Sequence, residues 1–583
     1  MMKKQVILSI LIALCTLSAH AQYGILVNGT DVYQATYTDE FEGFEQYIAH
    51  ININAGDYCQ LYDISTGVAW VKTLNPASVS AFQLQNDRYV CSTTGCYDFY
   101  IKLKFNADEL YIGPGQDCTS TPIDPGTGPV TPEDFESAVP GQCEDIMLQA
   151  FYWDSYQDKG YGDTKWNTLS AQVDEISQSF SLVWLPPSAE SKGGLGYIPS
   201  CYSTQSTTSL GKKGALLSLL SALHTKGVRV LADIVINHCG NKGSACDYNK
   251  LDFGDYGTFE PTSSWMTSND EGVTKYGCSG GSNADDGQHE ANYEPARDWD
   301  HKNTQVQAMC KAYLKWMKNE ITYDGFRYDY VGGYHVSHID DYNKAAKPYF
   351  SVIEYWVGDA NELKTRIDQA NKNTLAFDFA AKYNVYRDGI YDKNYTKCKN
   401  GGLRGKGYSK YAVTFIDNHD TFNRGNGNEP NRAGDGSSIN DKSLMMRSNA
   451  YLLSMPGVPC VFYPHWVKYK SEIKKMILAR KSAGIHSEST VDEEAGTSYY
   501  KATVYGKHGA IVLYLGSAAN DAAPAGYDTA VKGNDYAMYY TGQAIQAVEQ
   551  VEKATSSAKF IKDGKLYIRN GEAVYDMMGN RVN

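Results

Sequence analysis

The sequence predicts a multidomain α/β protein built on a (β/α)8 TIM barrel. A lobe is inserted after the third strand, an antiparallel β domain follows, and a β-sandwich module precedes. Three observations carry this prediction. From Cys143 to about Ala483, apolar and β-branched runs alternate with helical stripes, as in a parallel sheet with crossover helices. Eight such runs can be counted, the number that closes a barrel. Several end on polar or ionisable residues, and in a barrel the C-terminal strand ends are where an active site gathers.

With 583 residues the chain exceeds one compact domain. A formal net charge of −13 and a pI of about 5.5 argue against a nucleic-acid partner. Tyrosine is abundant, 46 residues against 18 Phe, which supplies flat apolar faces with polar edges suited to stacking on sugar rings.

Residues 1–21 read as a signal peptide. Met1-Met2-Lys3-Lys4 is the basic region, Val6 to Leu14 the apolar run, and Ala19-His20-Ala21 the cleavage site before Gln22. Export follows, to a secreted, cell-surface or periplasmic location. Lipidation at Cys15 fits less well, because the bulky Leu14 precedes it. No later run is long enough for a membrane span, and a monomer is expected. Of thirteen cysteines, Cys15 goes with the leader and twelve remain, with Cys91 and Cys96 a local candidate disulfide and no zinc spacing.

Residues 22–113 show short strands and turns of β-sandwich size. Trp70, Tyr58 and Tyr62 are candidate binding platforms there, although residue by residue a core role is the plainer reading. Residues 114–142 form a Pro/Gly/Thr linker, composed to stay extended.

The barrel occupies 143–485, with strands expected over 146–153, 181–187, 229–238, 325–329, 349–356, 375–380, 411–420 and 458–466. Leu216, Leu217, Leu220 and Leu223 form one helical stripe, and Val306, Met309, Cys310, Tyr313, Leu314 and Met317 another. The connection 239–303 is too long for a simple loop and reads as a lobe over the strand ends. Residues 486–545 return to strands, as in Ala510-Ile511-Val512-Leu513-Tyr514-Leu515. Residues 546–583 form a short appended tail.

Gly325-Phe326-Arg327-Tyr328-Asp329 is the centre of the pattern. Arg327 and Asp329 are two apart, so on a strand they share a face. Alone, such a pair reads as an ion pair at a strand end. Three other strand ends change that: Asp233 through Asn237-His238, Glu354 after an apolar run, and Asn418-His419-Asp420.

In order and spacing these endings resemble the four short motifs of the α-amylase family of glycoside hydrolases, over the whole barrel, lobe and following β domain. Trp184-Leu-Pro-Pro187, Gly196-Tyr-Ile-Pro199 and Gly533-Asn-Asp-Tyr536 are most similar to its plant-type members. The N-terminal module resembles small starch-binding β-sandwiches, and the tail resembles C-terminal sorting segments of some exported bacterial proteins.

The resemblance implies Asp329 as nucleophile, Glu354 as general acid/base and Asp420 as transition-state stabiliser. It implies substrate contacts from Tyr197, His238, Arg327 and His419, and a Ca2+ ion held by Asn237, Asp298 and the carbonyl of Gly333. Gly332-Gly333 stands where the family often has a basic pair, leaving the leaving-group side without those cations. The chemistry agrees. Acetal cleavage with retention needs two carboxyl groups roughly 5 Å apart, and neighbouring strands lie about 4.8 Å apart. Glu354, beside Tyr355 and Trp356, should carry a raised pKa, and Arg327 should keep Asp329 ionised.

The expected function is an exported, retaining, endo-acting α-amylase cleaving α-1,4 links in starch or glycogen. Maltogenic, debranching or transglycosylating action is the alternative within the same chemistry. A non-catalytic starch-binding protein is the alternative from another class, disfavoured by three intact carboxyl residues.

Overall fold

In the computed structural model, the described residues are 23–115, 135–543 and strand residues between 557 and 575. Residues 30, 42–43, 64–67, 72–73, 75–77, 86–87, 104–108, 206–208, 285–286, 288–294, 423–437, 563–564 and 571–572 are excepted. The signal-peptide reading at 1–21 and the Pro/Gly/Thr run at 121–129 lie outside them. Among the described residues no helix is long and apolar enough to cross a membrane.

The N-terminal module is two antiparallel sheets, one of six strands and one of four. In the strand Phe44–Ile53, Tyr47, Ala49, Ile51 and Ile53 alternate inward, as a strand with one buried face must. They meet Ile25, Cys59 and Leu61 of the other sheet. Tyr58 and Tyr62 are half-buried, and the Arg88 guanidinium sits 4.1 Å over the Tyr58 ring. The side chain of Trp70 lies outside the description. The Cys91–Cys96 pairing is corrected: Cys91 is a free thiol buried in this core, whereas Cys96 is disulfide-bonded elsewhere.

Eight parallel strands close the barrel. They are β1 (Met147–Gln149), β2 (Leu182–Trp184), β3 (Arg229–Ile234), β4 (Gly325–Tyr328), β5 (Phe350–Ile353), β6 (Leu375–Phe377), β7 (Ala412–Phe415) and β8 (Val458–Phe462), with β8 returning to β1. The eight locations agree with the sequence reading, but the strands are shorter. Their polar ends lie past the last barrel ladder pair, Asn418-His419-Asp420 in a turn and His238 in a two-residue strand paired with the inserted lobe.

All six residues of the second predicted stripe are buried on the helix Thr304–Asn319. In the first stripe Leu219 takes the inward place given to Leu217, which is half-buried on the helix Lys213–Thr225. The inserted lobe is pinned where Cys239 pairs with Arg297, and it is cross-linked by Cys246–Cys278.

One edge differs from the sequence reading. Residues 135–142, assigned above to the linker, dock on the barrel: Ala138 is fully buried, its N–H donates to Asn373 and its carbonyl accepts from Ser351. Behind the barrel, a five-stranded antiparallel sheet spans Thr490–Ala495 to Tyr536–Tyr540, with Ala510–Gly516 at its centre. Arg404 grips Glu493 of that sheet through two bonds of 2.7 and 2.9 Å, a bidentate pair that ties sheet to barrel. The tail holds a three-stranded antiparallel sheet, Ser557–Lys562, Lys565–Asn570 and Ala573–Tyr575.

Candidate active site

The parallel register of β3 and β4 sets Asp233 opposite Arg327. Arg327 is fully buried, and a buried guanidinium needs partners on every side. It has three carboxylates. One terminal nitrogen lies 2.8 Å from Asp233 and 2.5 Å from Asp329, and the other 2.8 Å from Glu354. Asp233 also accepts from the Trp184 indole at 3.0 Å and the Tyr197 hydroxyl at 2.8 Å.

Backbone bonds continue past the strand ends and hold Asp329 and Glu354. The Asp329 N–H donates to Ile234, and the Glu354 N–H donates to Tyr328. Directly after Asp329, Tyr330 adopts a left-handed backbone, φ 44°, a conformation that is uncommon outside glycine. That turn aims the Tyr330 N–H at Glu354 Oε2, 3.0 Å away. Nothing in the sequence marks Tyr330, since the signal is a backbone angle.

One positive charge facing three buried carboxyl groups leaves the array short of cations. Burial pushes Glu354 up to about 8, with Arg327 pulling it down and Asp329 and Asp420 adding repulsion. Burial likewise raises Asp233 to about 7 against the pull of Arg327. A carboxyl that keeps its proton near neutrality can serve as a general acid.

The turn after β7 brings His419 and Asp420 to the same mouth, with His419 Nε2 3.2 Å from Asp420. The His419 ring lies parallel to Tyr197 at 5.0 Å and to Trp153 at 5.9 Å. Its Nδ1 lies 3.1 Å from the side-chain amide of Gln149, which orients the ring. His238 Nε2 is 2.8 Å from the Tyr197 carbonyl. Asp329, Glu354, Asp420, Tyr197, His238, Arg327 and His419 are thus gathered at one end of the barrel. Asp233, which the sequence marks only as the start of a strand-end motif, joins them, as do Gln149 and Trp153, which it does not single out.

The three predicted metal residues also converge. The Asn237 amide is 3.3 Å from an Asp298 carboxylate oxygen. A Cβ on Gly333 would lie 1.9 Å from Asn237 Oδ1, and one on Gly287 would lie 2.5 Å from the Gly332 carbonyl, so only glycine lets lobe and barrel meet there. The backbone of Asp298 is fixed by Asp270, which accepts its N–H at 2.9 Å and pairs with the buried Arg297. Among the described residues no group of three or more His, Cys, Asp or Glu is arranged to hold a metal ion. The donors here are amide, carboxylate and carbonyl oxygens, a hard set that fits calcium.

Residues 151–391 match the family model "Alpha amylase, catalytic domain". The chain is 31% identical over 424 residues to a probable alpha-amylase 2 of Arabidopsis thaliana, covering 68% of this chain and 94% of that protein. The chain belongs to the alpha-amylase family. It is a glycoside hydrolase acting on α-glucans, and the polysaccharide substrate expected from its sequence follows from membership. It is 29% identical over 428 residues to alpha-amylase 3, chloroplastic, of the same plant, covering 69% of this chain and 44% of that one. It is 27% identical over 409 residues to a glucan 1,4-alpha-maltotetraohydrolase of Roseateles saccharophilus, covering 64% of this chain and 68% of that one. The plant relatives accord with the plant-type motifs read above.

Proposed function

We propose that this alpha-amylase is exported, acts within the chain on α-1,4 links of starch or glycogen, and hydrolyses with retention. Glu354 protonates the leaving glycosidic oxygen as the Asp329 carboxylate attacks the anomeric carbon, so the C–O bond breaks as an ester to Asp329 forms. Glu354, now ionised, removes a proton from water, which cleaves the ester and restores both groups. Asp420 faces the positive charge that develops on the sugar, His419 donates to its hydroxyls, and His238, held by the Tyr197 carbonyl, lines the same subsite. Tyr197 lines the sugar face with its ring.

The observation that carries this reading is the single Arg327 guanidinium shared by Asp329 and Glu354. Adjacent nitrogens of one planar group hold the two carboxyls close together, which favours a covalent route over one needing a water between them. Asn237, Asp298 and Gly333 would hold Ca2+, which supplies charge that ties the inserted lobe to the barrel. The N-terminal module would bind starch, and residues 1–21 would direct export.

Product analysis on amylose, pullulan and cyclodextrin tests the specificity. Rapid loss of amylose chain length with mixed maltooligosaccharides, and little action on pullulan, is expected. Release of a single short product, or cleavage of the α-1,6 links of pullulan, would assign the maltogenic or debranching alternative instead.

A further inference from the structure

Beneath the turn that carries His419 and Asp420 lies a buried set of charges that the proposed chemistry does not use. Lys382, Asp417 and His465 are each about 1% exposed and come from three elements: the helix after β6, the end of β7 and the helix after β8. Lys382 Nζ donates to the Ile416 carbonyl at 2.6 Å and to Asp417 Oδ1 at 2.9 Å. His465 Nε2 lies 3.0 Å from the other Asp417 oxygen, within ion-pair range but outside hydrogen-bond geometry.

From Asp417 the contacts run outward to the turn. The Thr421 hydroxyl donates to Asp417 Oδ1 at 3.3 Å and accepts the Asn418 N–H at 3.0 Å. Asn418 Oδ1 then accepts the N–H groups of Asp420 and Thr421, at 2.9 and 2.8 Å. The Phe422 N–H donates to the Asn418 carbonyl, which closes the turn, and Asp420 stands half-buried within it.

A buried ion pair is a poor way to gain stability, since well-packed apolar groups of the same volume are often as good or better. Its directional bonds do fix geometry. A displacement of about 1 Å in a group that acts on the transition state can lower a rate about a hundredfold. We propose that Lys382 and His465 are positioning residues for hydrolysis, acting through Asp417 and Thr421 to set where Asp420 stands. This rests on the reading of Asp420 as transition-state stabiliser.

The test is a pair of thermodynamic cycles on the full chain, with maltoheptaose as substrate. His465→Ala should lower kcat about tenfold while KM stays within about twofold, because the lost interaction matters in the transition state. His465→Gln, which keeps a polar side chain packed beside Asp417, should recover most of the rate. Thr421→Val removes only the bridging hydroxyl and should lower kcat several-fold without breaking the ion pair, so it gives an answer even if His465→Ala fails to fold.

In an Asp420→Asn background both substitutions should change kcat by less than about twofold, since their route to the substrate is already gone. Equal losses in both backgrounds, or wild-type kcat for Thr421→Val, would overturn the positioning role. If Asp420→Asn alone kept wild-type activity, the reading of Asp420 itself would fall instead.

Discussion

Arg327 stands 2.8 Å from Glu354, and burial still holds the Glu354 carboxyl up at about 8. The arginine does not ionise this partner because it is shared with Asp233 and Asp329, and because Glu354 is removed from water. A proton is therefore kept where a leaving group would need one.

The first prediction is a pH profile. Activity should fall as pH rises through about 8, when Glu354 loses its proton. Glu354→Gln should reduce kcat by on the order of 1,000-fold or more and abolish that alkaline limb. Initial rates across pH check both.

The same carboxyl should be visible in stability. Its folded pKa lies above the ordinary 4.5, so the native state binds this proton more tightly than the unfolded chain does. Its contribution is full below pH of about 4.5 and is lost as pH rises through about 8. The Tm of Glu354→Gln relative to the wild type should therefore climb over that window, by a few degrees. A constant difference in Tm would remove Glu354 as the source.

For the proposed nucleophile, Asp329→Asn should lower kcat by several orders of magnitude with a near-native far-UV spectrum, since one charge and few atoms change. Retention of a large fraction of wild-type kcat would take the role from Asp329.

The sequence located all eight barrel strands and the carboxyl residues at their ends, because alternation, β-branching and short polar motifs are local properties. What it did not carry was register. That Asp233 faces Arg327 is a relation between strands 94 residues apart, and three carboxyls on one guanidinium follow from it. The left-handed Tyr330 was equally hidden, being a backbone angle. Cys91 and Cys96 are close in sequence, yet Cys91 faces into the sandwich core. The linker was read as ending at residue 142, because composition cannot show that Ala138 packs under β5.

Calcium gives a fourth prediction. Chelation should lower both Tm and activity, because an ion bound only by the folded state stabilises it. Asp298→Ala should reproduce the effect in the presence of the metal, with a loss of a few degrees. Unchanged melting and rate after chelation would take Asn237, Asp298 and Gly333 off the metal site.

A fifth concerns the N-terminal module. Removing residues 22–115 should weaken action on granular starch and leave the rate on short maltooligosaccharides nearly unchanged, since tethering raises only the effective concentration of polymer. Equal losses on both substrates would make the module a support for the barrel.

The measurement that bears most directly on the proposed mechanism is 1H NMR of the reducing ends formed in the first turnovers on a maltooligosaccharide, before mutarotation. Double displacement through Asp329, with Glu354 as acid and then base, predicts that the α-anomer appears first. Initial appearance of the β-anomer would contradict the covalent route and the pairing of those two carboxyls.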